Sequence, residues 1–109
     1  MGLFSFFKKK EEEQDTPLKR DLIYFELLEN GEDETLVSIA NKIVAGNPSI
    51  INLEKLDIDD ANKAIAFLSG VCYGISGEIV NVKEKIFMFS DKTVYDDGSM
   101  ESFLKEIVE

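Results

Sequence analysis

Histidine and tryptophan are absent from this chain of 109 residues, and cysteine occurs once, at position 72. Without histidine the chain has no Ser–His or Cys–His catalytic pair, no imidazole ligand for zinc, and no side chain that ordinarily titrates near neutral pH. A single cysteine excludes an intramolecular disulfide and a thiolate-built zinc or iron–sulfur site, and it fits a reducing cytoplasm. These absences predict a protein without a metal, a cofactor or catalytic residues.

Long apolar runs are also lacking, because no stretch approaches the roughly 20 apolar residues of a transmembrane helix. Hydrophobic residues nevertheless make up 44% of the chain, which is ordinary for a globular protein and indicates one folded domain. A domain of this size buries only about 60–65% of its unfolded surface, which favours oligomerisation.

Basic residues are few, 12 against 22 acidic ones, so the net charge is −10. This acidity argues against binding nucleic acid, which relies on Lys and Arg to neutralise phosphates. The charge is unevenly distributed, however. Residues 1–10 carry +3, whereas residues 11–109 hold 9 basic and 22 acidic residues, or −13. A polar linker, residues 11–17, separates this basic head from a globular domain at residues 18–109.

The basic head, MGLFSFFKKK, combines apolar bulk with cations. On a helical wheel its large apolar side chains span an arc of about 160°, and three lysines follow them. The residues concerned are Leu3, Phe4, Phe6, Phe7, Lys8, Lys9 and Lys10. Since apolar burial and lysines beside anionic lipid both favour a bilayer interface, we expect residues 1–10 to form a short amphipathic membrane-binding helix. Docking on a protein surface and a disordered tail are the alternatives.

Strand and helix signals alternate along the rest of the chain. Apolar segments predict strands at residues 21–28, 50–53, 75–82 and 86–89, and amphipathic segments predict helices at 34–45, 57–70 and 99–108. The first strand is apolar on both faces, which is typical of a covered strand, and Gly70 predicts the end of the second helix. The order β-α-β-α-β-β-α predicts an α/β fold, a two-layer sandwich with helices packed on a small mixed sheet.

Apolar stripes on the first two helices predict which sides face the core. The first stripe includes Val37 and Val44, and the second begins at Ile58. Phe67 lies outside the second stripe, with Lys63 one turn earlier on the same side. We interpret this pair as an anchor for an apolar peptide or for a dimer partner. Packing of Phe67 under a loop or under the C-terminal helix is the alternative.

Three glycines, at positions 70, 74 and 77, lack the GxxxxGK spacing of a phosphate loop. Gly74 and Gly77 instead predict a bulge or a close backbone approach in the next strand, and Cys72 is expected to be a small buried hydrophobe. The acidic clusters at 57–60 and 96–97 lack the spacing of a calcium loop, and a helix start and a turn explain them. No nucleotide or metal site is therefore expected.

Five segments, taken in order, carry a resemblance to a known family. They are the N-terminal MGLF…KKK, SIINLEKLD at 49–57, DDANKAIAFLSG at 59–70, YGISGEI at 73–79 and IFMF at 86–89. This ordered set resembles the SepF family, the cell-division proteins that tether FtsZ to the membrane. The short linker, and Ser90-Asp91 after Phe89 in place of a proline, are more similar to archaeal than to bacterial members.

The resemblance implies a non-enzymatic adaptor, a homodimer of an α/β domain that binds the C-terminal tail of FtsZ. Such an adaptor recruits FtsZ filaments to the cytoplasmic face of the membrane at the division site. Carried over to this sequence, the peptide contacts are Lys63, Phe67 and Tyr73, with Tyr73 at the start of a strand. Two other hypotheses stay open: a dimeric regulatory domain that binds a small molecule, and an enzyme that uses carboxylates such as Glu26 or Glu78.

Overall fold

The elements of the domain follow one another in the predicted order. The computed structural model describes residues 18–108, so the predicted amphipathic helix at 1–10 and the linker at 11–17 lie outside the described residues. A short 3₁₀ helix, Lys19–Leu22, precedes β1 (Tyr24–Leu27), α1 (Asp33–Val44), β2 (Ser49–Asn52), α2 (Ile58–Gly74), β3 (Glu78–Lys83), β4 (Ile86–Ser90) and α3 (Ser99–Val108). The predicted β-α-β-α-β-β-α order is confirmed.

Within residues 18–108, four strands form one mixed sheet in the order β1-β2-β4-β3. β1 and β2 run parallel, as expected for two strands joined by a crossover helix, here α1. β4 pairs antiparallel with β2 on one side and with β3 on the other, and β3 and β4 form a hairpin. β1 and β3 are therefore the two edges of the sheet.

Helices cover both faces of this sheet, because its strands alternate apolar side chains between two cores. Phe87 and Phe89 of β4 pack with α1 and α2, whereas Ile86 and Met88 pack with α3. The predicted α/β fold, with helices on a small mixed sheet, is confirmed, but the elements form three layers instead of the predicted two. α3 lies on the face opposite the other two helices.

The second helix is longer than predicted, because α2 continues past Gly70 and ends at Gly74. Cys72 is buried, as expected, and lies on the same core-facing side as Leu68 one turn earlier. A glycine inside a helix costs only about 1 kcal/mol relative to alanine, so burial of this extra turn outweighs it. The prediction that Tyr73 begins a strand is consequently wrong, because Tyr73 lies in the last turn of α2.

The third strand begins at Glu78, later than predicted, because the chain first turns out of α2. Gly77 makes this turn, and its N–H donates to the Cys72 carbonyl at 2.7 Å. A Cβ on Gly77 would lie 2.1 Å from the carbonyl oxygen of Ser90. The close backbone approach predicted for this region is thus confirmed at Gly77, whereas Gly74 belongs to the helix and has open space around it.

The first strand is not covered, contrary to the prediction from its apolar residues. Among the strands of the described residues, β1 pairs only with β2, and Tyr24, Phe25 and Leu27 are all exposed. On the face of Phe25 and Leu27, α3 reaches Phe25 through Phe103, whose ring centroid lies 6.2 Å away, yet Phe25 remains 63% exposed. Because α3 does not extend over the whole face of the sheet, the apolar residues of β1 remain exposed to solvent.

Both predicted apolar stripes include residues that do not reach the core. Val37, Val44 and Ile58 are exposed, although each was assigned to a stripe that faces the core. α1 and α2 share one face of a narrow sheet, so only the central part of each stripe meets the strands. The flanking apolar positions remain available for contacts outside the domain.

Candidate functional site

α1 and α2 lie side by side on the sheet and leave a groove between them. The groove has a volume of about 350 Å³ and is lined by Asp33, Leu36, Val37, Lys63 and Phe67. Three of these side chains are apolar, and the other two carry opposite charges. The structure therefore brings Lys63 and Phe67, both predicted site residues, into one groove and adds three residues of α1.

The aromatic wall of the groove is Phe67, which is 39% exposed. Lys63 lies four residues earlier, so the two side chains are neighbours on the same side of α2. The alternative in which the C-terminal helix covers Phe67 does not hold, because α3 packs on the opposite face of the sheet. A partly exposed ring beside apolar residues of α1 would bury further surface on contact with a partner.

An ion pair joins the two helices across the groove. The Lys63 ammonium donates to the carboxylate of Asp33, with Nζ 2.8 Å from Oδ1. This hydrogen bond raises the pKa of Lys63 and lowers the pKa of Asp33, and the Coulomb attraction within the pair acts in the same direction. Both groups are therefore charged at neutral pH, and a partner that uses the Lys63 ammonium has to compete with Asp33.

The contribution of α1 to the groove is what the sequence interpretation missed. Asp33 is the first helical residue, one position earlier than the predicted start, and Glu32 occupies the N-cap position. Asp33 and Val37 are four residues apart, a spacing that places them on one side of α1 and could have identified the pair. Their meeting with Lys63 depends on how two helices pack, which local periodicity does not encode.

Tyr73, the third predicted contact, is not among the residues that line the groove. It follows Phe67 by six residues, which turns its side chain about 120° around the helix axis at 100° per residue. It is 89% exposed, at the end of α2. A partner reaches both side chains only if it extends past the groove and around the end of the helix.

The surface of α2 beyond the groove carries no charge. Residues 64–77 include no Asp, Glu, Lys or Arg, in a chain that is 31% charged. Ala66, Gly70 and Gly74 are exposed within this segment, next to Phe67 and Tyr73. Small uncharged side chains allow a partner's backbone to approach closely without the cost of desolvating ions.

The described residues, 18–108, hold no cluster of three or more potential metal-ligating His, Cys, Asp or Glu side chains. The acidic clusters have local structural roles: Asp57 accepts a hydrogen bond from the Asp60 amide at 2.8 Å, which caps α2. Glu26 and Glu78, the carboxylates considered for an enzyme, lie on β1 and β3 at opposite edges of the sheet. Among residues 18–108, no helix is both long enough and apolar enough to cross a membrane.

The residues that form this groove lie within the segment matched by a known family model. The family model "Cell division protein SepF" matches residues 32–95, which include α1, α2 and strands β2 to β4. A SepF-like protein from Archaeoglobus fulgidus has a similar fold, with a TM-score of 0.53 at 17% identity over 62% of this chain and 84% of that one. That structural similarity supports the fold alone.

Curated relatives give the same family. The cell division protein SepF of Carboxydothermus hydrogenoformans is 31% identical over 65 residues, or 60% of this chain and 47% of the relative. That of Natranaerobius thermophilus is 29% identical over 80 residues, or 73% of this chain and 48% of the relative. The matched part of the chain thus spans about half the length of these relatives. Because the family model covers more than half of its residues, the chain belongs to the SepF family of cell-division proteins.

Proposed function

We propose that this chain is a non-enzymatic adaptor of cell division that binds the C-terminal tail of FtsZ in the groove between α1 and α2. The adaptor acts as a homodimer and is held at the cytoplasmic face of the membrane by residues 1–10. The observation that carries the proposal is the juxtaposition of Phe67 and Lys63 with the apolar side chains of α1 in one groove. Membership of a cell-division family supports the same role.

The chemistry of the groove suits a short peptide. An apolar side chain of the peptide can lie between Val37 and Phe67, which are both exposed, and contact would remove their apolar surface from water. Lys63 can donate to a polar group of the peptide beside that side chain when it is released from Asp33. A bound peptide that continues along the uncharged surface of α2 would also reach Tyr73.

Replacing Phe67 by alanine tests the peptide site. We expect Phe67→Ala to weaken binding of an FtsZ tail peptide about tenfold or more, as is usual for an aromatic anchor, in isothermal titration calorimetry. The melting temperature should change little, because the ring is partly exposed and lies outside the buried core. The matched control is Ile58→Ala, which removes a side chain that is 78% exposed at the other end of α2. Intact binding together with a large loss of stability would make Phe67 a core residue and refute the site.

Asp33 provides a second test, because it neutralises the cation of the groove. In Asp33→Asn the Lys63 ammonium loses its charged partner and becomes available to a carboxylate of the peptide. We expect binding to become about two- to fivefold tighter, the usual size of an exposed ion-pair effect. Glu34→Gln removes the same charge from the same turn of α1 and should leave the affinity unchanged. Weaker binding by Asp33→Asn alone would mean that Asp33 itself contacts the peptide.

Membrane attachment is proposed from residues 1–10, whose apolar and basic composition suits an anionic bilayer surface. One short helix binds a bilayer weakly, whereas two helices in a homodimer bind it together with a large gain in avidity. The acidic domain, by contrast, is repelled by anionic lipid. This arrangement would keep the peptide groove away from the membrane and accessible to FtsZ.

A further inference from the structure

The outer edge of β1 offers main-chain hydrogen-bonding groups to a further strand. The amides of Tyr24 and Leu28 donate at 2.9 and 3.1 Å to carbonyl oxygens on the β2 side. Because backbone groups alternate in direction along a strand, the N–H and C=O groups of Phe25 and Leu27 point away from the sheet. These are also the residues whose apolar side chains are exposed on the α3 face.

Within residues 18–108, this edge has few of the usual protections against strand pairing apart from its length of four residues. Natural edge strands are commonly blunted by proline, by a bulge, or by an uncompensated charge, and β1 (YFEL) has neither proline nor bulge. Its one charged residue, Glu26, forms an ion pair with Lys42 of α1, with Nζ 2.8 Å from Oε1. The edge is therefore apolar and locally neutral in a chain of strongly acidic composition.

The two faces of β1 differ in chemistry. On the α3 face, Phe25 and Leu27 are exposed apolar side chains. On the α1 face, the Lys42 ammonium binds Glu26 and also lies 4.5 Å from the centre of the Tyr24 ring. A partner strand that fits this edge needs apolar residues on one face and complementary polar residues on the other.

We propose that β1 pairs antiparallel with β1 of a second copy of this chain, about a two-fold axis that passes through Phe25. In this register Glu26 lies opposite Tyr24 of the second copy. The Lys42 ammonium of that copy lies over the same Tyr24 ring, so opposite charges alternate across the interface. On the other face the two Phe25 rings meet, and Leu27 lies opposite Ile23 of the second copy. The neighbouring register, with Phe25 opposite Leu27, would place the two Glu26 residues opposite each other, which is unfavourable.

This inference rests on the self-association that forms part of the proposed function. The test measures the oligomeric state of the full-length protein by sedimentation velocity across a concentration series. Phe25→Asp places like charges opposite each other at the two-fold axis, and we expect it to raise the dimer dissociation constant at least tenfold. The control Tyr73→Asp makes the same change at a more exposed aromatic residue of α2 and should leave the dimer intact.

Cross-linking tests the register itself. Directly opposed residues of a hydrogen-bonded antiparallel pair have Cα atoms about 5.5 Å apart, within the range of a disulfide. Under oxidation Phe25→Cys should therefore form a covalent dimer. Leu27→Cys should not, because the two copies of that residue are offset by roughly 13 Å along the strands. The natural Cys72 is buried and present in both variants.

A monomeric wild type, an undisturbed dimer in Phe25→Asp, or no disulfide from Phe25→Cys would each overturn the pairing. Dissociation by Tyr73→Asp with an intact Phe25→Asp dimer would place self-association on α2 instead. Binding of the FtsZ tail peptide to monomeric Phe25→Asp separates the two proposals, because each groove lies within one protomer. We expect that binding to match wild type; its loss in both proteins would refute the peptide site and leave the strand pairing standing.

Discussion

Replacing Gly77 by alanine is expected to destabilise the domain by about 3 kcal/mol, at the upper end of overpacking effects. The new Cβ would lie 2.1 Å from the carbonyl oxygen of Ser90, a main-chain atom that cannot rotate away. Relief requires β4 to separate from the turn that follows α2, which weakens the pairing of Glu78 with Ser90. For a domain of this size we expect thermal unfolding to shift down by roughly 10–25 °C.

Gly70→Ala is the matched control, because it adds the same methyl group where no heavy atom outside the local helix backbone lies within 4 Å. Gly70 is inside α2, so alanine should stabilise the domain by about 0.5–1 kcal/mol through its higher helix propensity. Differential scanning calorimetry on both variants measures the contrast. Equal melting temperatures for Gly77→Ala and wild type would mean that the turn relaxes without cost and that the close approach is not a constraint.

These two glycines show what local signals predict. The order of strands and helices was predictable because apolar periodicity changes clearly from one segment to the next. The close approach at Gly77 was also predictable, since a glycine beside a strand often marks one. The helix end at Gly70 was not, because burial of Cys72 one turn later depends on strands that are distant in sequence.

The openness of β1 shows the limit of the same reasoning. An apolar segment such as 21–28 predicts a strand, but nothing local to it tells an edge strand from a central one. That distinction arises from the order β1-β2-β4-β3, which is a property of the whole sheet. The sequence therefore predicts Phe25 and Leu27 to be core residues, whereas both are exposed in the structure.

The residues of the groove show the same limit, because the sequence predicted those on α2 but not those on α1. The spacing of Lys63 and Phe67 was enough to place both on one side of α2, away from its core-facing stripe. Their partner Asp33 lies 30 positions earlier, and only the packing of α1 against α2 brings its carboxylate within 2.8 Å of Lys63. Periodicity thus predicted one wall of the groove, and tertiary packing supplied the other.

Substituting two phenylalanines in the basic head, Phe4→Asp with Phe7→Asp, is expected to abolish co-sedimentation of the full-length protein with anionic vesicles. Each large apolar side chain contributes about 1.5–3 kcal/mol on burial, so loss of two lowers partitioning roughly 100-fold or more. The two carboxylates also offset cations that attract anionic lipid, each worth about 1 kcal/mol near the surface. Binding of the FtsZ tail peptide should be unaffected, because the groove is formed by α1 and α2.

A double variant with the same charge separates apolar insertion from electrostatics. Ser5→Asp with Gln14→Asp adds two carboxylates but keeps every apolar residue of the head. We expect it to weaken pelleting only partly, and its difference from wild type should shrink as salt is raised, since salt screens exposed charges in both proteins. Phe4→Asp with Phe7→Asp should remain far below wild type in salt, because salt screens its added charges but does not restore the lost apolar burial. Unchanged pelleting by the phenylalanine variant would instead show that residues 1–10 do not anchor the protein.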